Sequence, residues 1–140
     1  MKPASELLLK SSNPGDSGQV IAVGPEQAGW EYIGLEVRRL SEGETFSFSS
    51  PDDELCIVPM VGDGVVGVGE EEWYIARPGT VFDGKPTAVY LPVGSDVRIE
   101  TDQGLEIAIC RSRATEVFPA RAITPDDIEV ESRGSGNAAR

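Results

Sequence analysis

The sequence has no histidine among its 140 residues. Imidazole is the commonest protein metal ligand and the usual general base near neutral pH. Its absence removes zinc-hydrolase sites, the two-histidine facial triad and serine–histidine nucleophiles together. The two cysteines, Cys56 and Cys110, make at best a weak soft-metal site. Each sits in an apolar run, LCIVPM (55–60) and EIAIC (106–110), where a small core residue is expected. A disulfide between them needs Cβ atoms about 4 Å apart, which spacing alone does not establish.

Oxygen donors remain. Asp52-Asp53-Glu54 and Glu70-Glu71-Glu72 are acidic triplets beside apolar runs. A calcium loop supplies ligands from alternating positions, and neither triplet has that spacing. Both read as solvated turns, the second also as a guard against strand-edge pairing. The 24 acids allow many general acid–base pairs and single out none. The glycine-rich VGDGVVGVGE (61–70) lacks the Lys-Ser/Thr ending of a phosphate loop, and no helical pattern follows it, so a hairpin turn is expected. Trp30, Tyr32, Trp73, Tyr74 and Tyr90 have the ring types that line sugar pockets, although such rings more often pack a core or a subunit face.

The bulk numbers narrow the partners. Lys and Arg total 12 against 24 Asp and Glu, a net charge of −12. Nucleic acid and anionic membranes need clustered cations to displace counterions, so both are excluded as expected partners. A local arginine still suits an acidic sugar. No run approaches the roughly 18 apolar residues of a membrane span, and MKPASELLLK is too short of apolar residues for a signal segment. The expected location is cytoplasmic. A content of 39% hydrophobic and 26% charged residues is that of a folded chain of one domain.

The elements that must position any site are short strands. Period-two alternation marks residues 35–38 and 45–49, the latter with Phe46 and Phe48 on one face. Residues 54–61 are almost wholly apolar, as in a strand buried on both faces, with Pro59 implying a bulge or an edge. Further runs lie at 19–23, 65–68, 73–76, 81–82, 88–91, 97–101 and 105–110. Between them fall the Gly, Pro and Asp clusters SEGE, VGDG, RPG, DGKP, PVGS and TDQG, which are turn chemistry. Nine or ten strands at this spacing predict an all-β sandwich, jelly roll or small barrel. The expected core is Leu35, Val37, Phe46, Phe48, Leu55, Ile57, Val58, Val89, Leu91, Ile107 and Ile109. Helix is scarce: Thr124-Pro125-Asp126-Asp127 predicts one capped turn or two.

One resemblance sharpens this picture. RGSGNAAR (133–140), read with GWEYIGLEVRRL (29–40), ELCIVPMVG (54–62) and FDGKPTAVYLPVGS (82–95), resembles the amino-terminal half of the 5-deoxy-glucuronate isomerase family. It is similar, more distantly, to the 4-deoxy-5-hexosulose-uronate ketol-isomerases of pectin breakdown. The resemblance covers roughly residues 5–140. It implies a single cupin-like double-stranded β-helix (a jelly-roll barrel or sandwich) over residues 19–123, after a loosely structured segment 1–18. Residues 124–140 would form a short helical turn and a linker toward a second cupin half.

The family is an intramolecular oxidoreductase of inositol catabolism that converts 5-deoxy-D-glucuronate to 5-dehydro-2-deoxy-D-gluconate. That aldose–ketose isomerisation is assisted by a divalent metal that polarises the reacting oxygens. The resemblance places the metal ligands, three histidines and a glutamate, in the second half. This chain is therefore expected to hold no catalytic residue, metal or cofactor, and to be inactive alone. The string 133–140 stops within the family's lead into that half, which implies a first-half fragment. Implied partners are the second cupin half of the same enzyme, a further copy in a homo-oligomer, and a small uronate in the whole enzyme. Arg133, Asn137 and Arg140 are the candidate contacts to substrate or to the other barrel. The alternative is a sugar-binding or dimerising β-barrel without catalysis.

Overall fold

The computed structural model describes residues 8–134. Nine strands form among them: β1 (Gln19–Val23), β2 (Ile33–Leu40), β3 (Thr45–Ser50), β4 (Asp53–Val68), β5 (Glu71–Arg77), β6 (Ala88–Leu91), β7 (Ser95–Glu100), β8 (Leu105–Arg113) and β9 (Arg121–Ile123). Every pairing is antiparallel. One path runs β1-β2-β8-β4-β6-β9, while β5 and β7 pair with β4, and β3 with β7. The 16-residue β4 thus serves two layers, and the sheet curls around it into the barrel-like jelly roll expected from the sequence.

The corner in β4 has a local cause. Its register with β8 shifts between Pro59 and Val61, the bulge that Pro59 implied. Just beyond, Gly62 has φ +84°, and a Cβ there would lie 2.4 Å from the Gly104 carbonyl oxygen. A Cβ on Gly64 would lie 2.4 Å from the Glu100 carbonyl oxygen. The glycine-rich 61–70 segment is therefore not a hairpin turn of its own. It continues β4 through the crossing, and only Gly69-Glu70 turn the chain. Residues 81–82, expected as a strand, are also a turn. The Asp83 carboxylate accepts 2.7 Å hydrogen bonds from the Thr80 backbone N–H and Oγ1–H, which closes the loop and leaves Phe82 93% exposed.

Among the described residues, helix is confined to α1 (Pro25–Ala28) and two 3-10 turns, Gly15–Ser17 and Pro125–Asp127. The second is the turn expected after Thr124. Asp127 Oδ2 accepts from the Thr124 N–H at 2.8 Å and from its hydroxyl at 2.9 Å. Residues before β1 are tied to it, since Ser12 N donates to Val20 O at 2.8 Å. No helix among the described residues is long and apolar enough to cross a membrane.

The core consists of Leu40, Leu55, Ile57, Val66, Ile75, Val89, Leu91, Val97, Ile99, Leu105, Ile107 and Ile109, with Phe46 and Phe48 packed against it. Three expected core residues are not in it. Leu35, Val37 and Val58 lie half-buried on the outer face. Directly opposed residues of an antiparallel pair share a face. The register Glu36↔Ile109, Arg38↔Ile107 and Leu40↔Leu105 turns the charged positions of β2 inward with the core of β8.

Candidate functional site

The inner rows of three strands change character along the barrel. β8 presents Leu105, Ile107 and Ile109, then Arg111 and Arg113. β4 presents Ile57 and Leu55, then Asp53. β2 presents Leu40, then Arg38, Glu36 and Gly34. At the charged end a cavity of about 730 Å³ opens, lined by Ala22, Pro25, Trp30, Tyr32, Glu36, Asp52, Asp53, Arg111 and Arg113 among others. It is a natural candidate site.

Glu36 and Arg111 of its inner wall belong to an ion cluster that also includes Arg38. The Glu36 side chain is 13% exposed and that of Arg38 is 14%. Glu36 Oε1 accepts from Arg38 Nε at 2.8 Å and Nη2 at 2.7 Å, and its Oε2 accepts from Arg111 Nη2 at 3.2 Å. Each guanidinium also covers a ring: Arg38 lies 3.8 Å from the Phe46 centroid and Arg111 5.1 Å from that of Phe48. The rings stack on each other at 5.2 Å. Two cations thus share one carboxylate and two aromatic faces, which makes enclosed charge tolerable here. Arg38 also donates to the Ser17 carbonyl and fastens the segment before β1.

This cluster holds its own side chains in place. Both Glu36 oxygens are engaged, and arginine does not exchange protons near neutrality. No three His, Cys, Asp or Glu side chains converge among the described residues, and Arg111 places a fixed positive charge in the cavity wall. What the wall offers is hydrogen bonding to hydroxyl or carboxyl oxygens, with Trp30 and Tyr32 as exposed rings at the rim.

The candidates named from sequence separate. Of the five aromatics, Trp30 and Tyr32 reach the cavity, Trp73 packs on the core, Tyr74 donates to Asp63 at 2.9 Å, and Tyr90 donates to Glu54 at 2.8 Å. Asp52 and Asp53 line the cavity, whereas Glu72 pairs with Arg98 at 2.8 Å on the surface. Arg133 pairs with Glu131 in solvent, its side chain 83% exposed. Asn137 and Arg140 lie outside the described residues. Cys56 and Cys110 are direct partners across β4 and β8, half-buried on the outer face and free. Burial pushes both thiols above the ordinary cysteine value, and for Cys56 the neighbouring Cys110 adds to it.

Sequence reasoning missed Glu36, Arg38, Arg111 and Arg113. Counting back by twos from Leu40 would have found the first two, because Leu40 ends the alternation and fixes its parity.

The family model described as KduI/IolB matches residues 7–140. The chain belongs to the KduI/IolB family. Among curated proteins similar to this family member, the 5-deoxy-glucuronate isomerase of Geobacillus kaustophilus is 36% identical over 138 residues, covering 97% of this chain and 50% of that protein. The same-named protein of Geobacillus thermodenitrificans has the same identity and coverage. The chain thus spans about half the length of the curated relatives it matches. Among solved structures, an IolB-like protein from Salmonella typhimurium superposes with a TM-score of 0.82 at 29% identity, over 94% of this chain and 50% of that one. The Schizosaccharomyces pombe Cnp3 cupin domain superposes at 0.52 with 12% identity, a likeness of fold alone. The KduI/IolB domain described here is therefore a cupin-type barrel of half the relatives' length.

Proposed function

We propose that this chain is the scaffold half, the amino-terminal barrel, of a two-barrel 5-deoxy-glucuronate isomerase, and that it is inactive without the other half. The observation that carries the reading is the match of nearly the whole chain to only half of proteins bearing that name. The donor chemistry agrees with it: the sequence has no histidine, and the barrel mouth holds an arginine–carboxylate cluster where a cation would need free oxygens. In this reading the divalent metal and the proton transfer between adjacent carbons belong to the second half, and this barrel supplies structural support to it. Cytoplasmic placement goes with the same reading.

The test is an assay of the purified chain on 5-deoxy-D-glucuronate with added Zn²⁺ or Mn²⁺. No turnover above buffer is expected, and robust turnover would refute the scaffold reading. A second reading, a non-catalytic sugar-binding barrel, is favoured by Trp30 and Tyr32 standing at the rim of a charged cavity. Quenching of Trp30 fluorescence by uronates, lost in Tyr32→Ala, would support it.

A further inference from the structure

The outer face of the β2–β8–β4 layer is only partly covered by the barrel itself: Ala108 at its centre is 9% exposed, while Leu35, Val37, Val58 and Met60 around it are half-buried. An antiparallel sheet with one face in water alternates apolar with polar residues. β4 and β8 do not alternate. Through the middle of both strands the inward residues are core, and the outward residues Cys56, Val58, Met60, Ala108 and Cys110 are apolar as well. β2 continues the strip with Leu35 and Val37, and Ile33 and Val61 at its ends are 56% and 50% exposed. Helix among the described residues amounts to four-residue α1 and two 3-10 turns, too little to cover three strands. Polar groups stand at the margins: the Arg39–Glu106 ion pair at 2.7 Å on one end and Glu54, bonded to Tyr90, on the other. An apolar centre with a polar rim is the anatomy of a protein interface.

We propose that this face docks a second β-barrel, namely the half of the family's length that this chain does not span; the inference rests on the two-barrel reading above. Two observations favour that occupant over a second copy. Relatives carry about as much chain again outside the matched half. β9, the last strand among the described residues, forms the edge of this same sheet beside β6 and so lies on the flank of the face. A tethered barrel is present at a high effective concentration without further affinity. A second copy, by contrast, brings another net −12 within a sheet-to-sheet spacing of about 10 Å, comparable to the Debye length. The paired thiols, protonated and weakly polar, suit a dry contact.

The experiment fuses this chain to the unmatched half of the Geobacillus kaustophilus relative. Maleimide labelling of Cys56 and Cys110, located by mass spectrometry, is compared with that of the chain alone, and isomerase activity is assayed separately. Labelling in the fusion is expected to slow at least tenfold, and Val58→Glu, at an outward position, is expected to restore it. Leu35→Lys provides a second disrupted face should Val58→Glu fail to fold by circular dichroism. Activity with unprotected thiols overturns the docking face and leaves the functional reading standing. Protection without activity supports the face and counts against that reading, and neither result overturns both. Slow labelling in the chain alone, with sedimentation as a dimer, assigns the face to a second copy and overturns the proposal.

Discussion

Strands β2, β4 and β8 carry two faces that invert the usual sorting. The inner face runs from packed isoleucine and leucine to Glu36, Arg38 and Arg111. The outer face is apolar through its centre and only half-buried. Arg38 and Glu36, at 14% and 13% side-chain exposure, are more enclosed than Ile33 at 56% on the outer face of the same strand. Hydrophobicity marks the packed centre of this barrel but not its mouth. There satisfaction decides: an arginine between a carboxylate and a ring can be enclosed, and an aliphatic side chain with little above it stays wet.

The sharpest way to break this comparison is a pair of neighbours on β4. Ile57→Ala removes a fully buried side chain and should cost about 2–5 kcal/mol in urea unfolding of the chain. Val58→Ala, one residue on and facing outward, should cost roughly 1 kcal/mol, since it loses about two partly exposed carbon groups. Equal costs would mean that the outer face is already covered in the isolated chain.

The cluster at the mouth comes next. Glu36→Gln leaves Arg38 and Arg111 enclosed without their shared anion and should destabilise by about 1–3 kcal/mol. The double variant Glu36→Gln with Arg38→Met should cost less than the sum of the single changes, because the two residues share one network. Strict additivity in denaturant melts would show that Glu36 and Arg38 are not coupled.

These contrasts also explain what the sequence could reveal. Most strands were legible because turn residues punctuate them, and six of the core residues followed from runs such as LCIVP and IAI. The β4 crossing was not legible, since glycines that let two backbones approach look the same as glycines that turn a chain. Parity in β2 was misread for a related reason. Leu35 and Val37 look like a core face when the strand is considered alone, and only pairing with β8 shows that Glu36 and Arg38 share the face of Ile109 and Ile107. The rim of the candidate site was partly legible through Trp30, Tyr32, Asp52 and Asp53, but its ion cluster was not, because Glu36 and Arg111 come from strands 75 positions apart and neither belongs to a motif.

The smallest expected effect concerns pH, and it probes both regions through groups outside the mouth. Burial raises the Cys56 and Cys110 thiols, so the folded chain holds those protons more tightly than the unfolded one. Their contribution is fully present below the ordinary thiol value and is lost as pH rises toward the folded values, so thermal stability should decline above about pH 9. Cys56→Ser with Cys110→Ser should flatten that limb. The carboxylates of Asp83 and Asp127 behave oppositely. Thr80 and Thr124 donate hydrogen bonds that lower them, so their support exists above the ordinary carboxylate range and fades as pH falls through it. Docking a second barrel over the outer face would bury the thiols further and move the alkaline limb to higher pH. It would leave the acid limb unchanged, because Asp83 and Asp127 sit in exposed turns. A titration in which both limbs move together would mean that the partner covers the turns as well as the sheet.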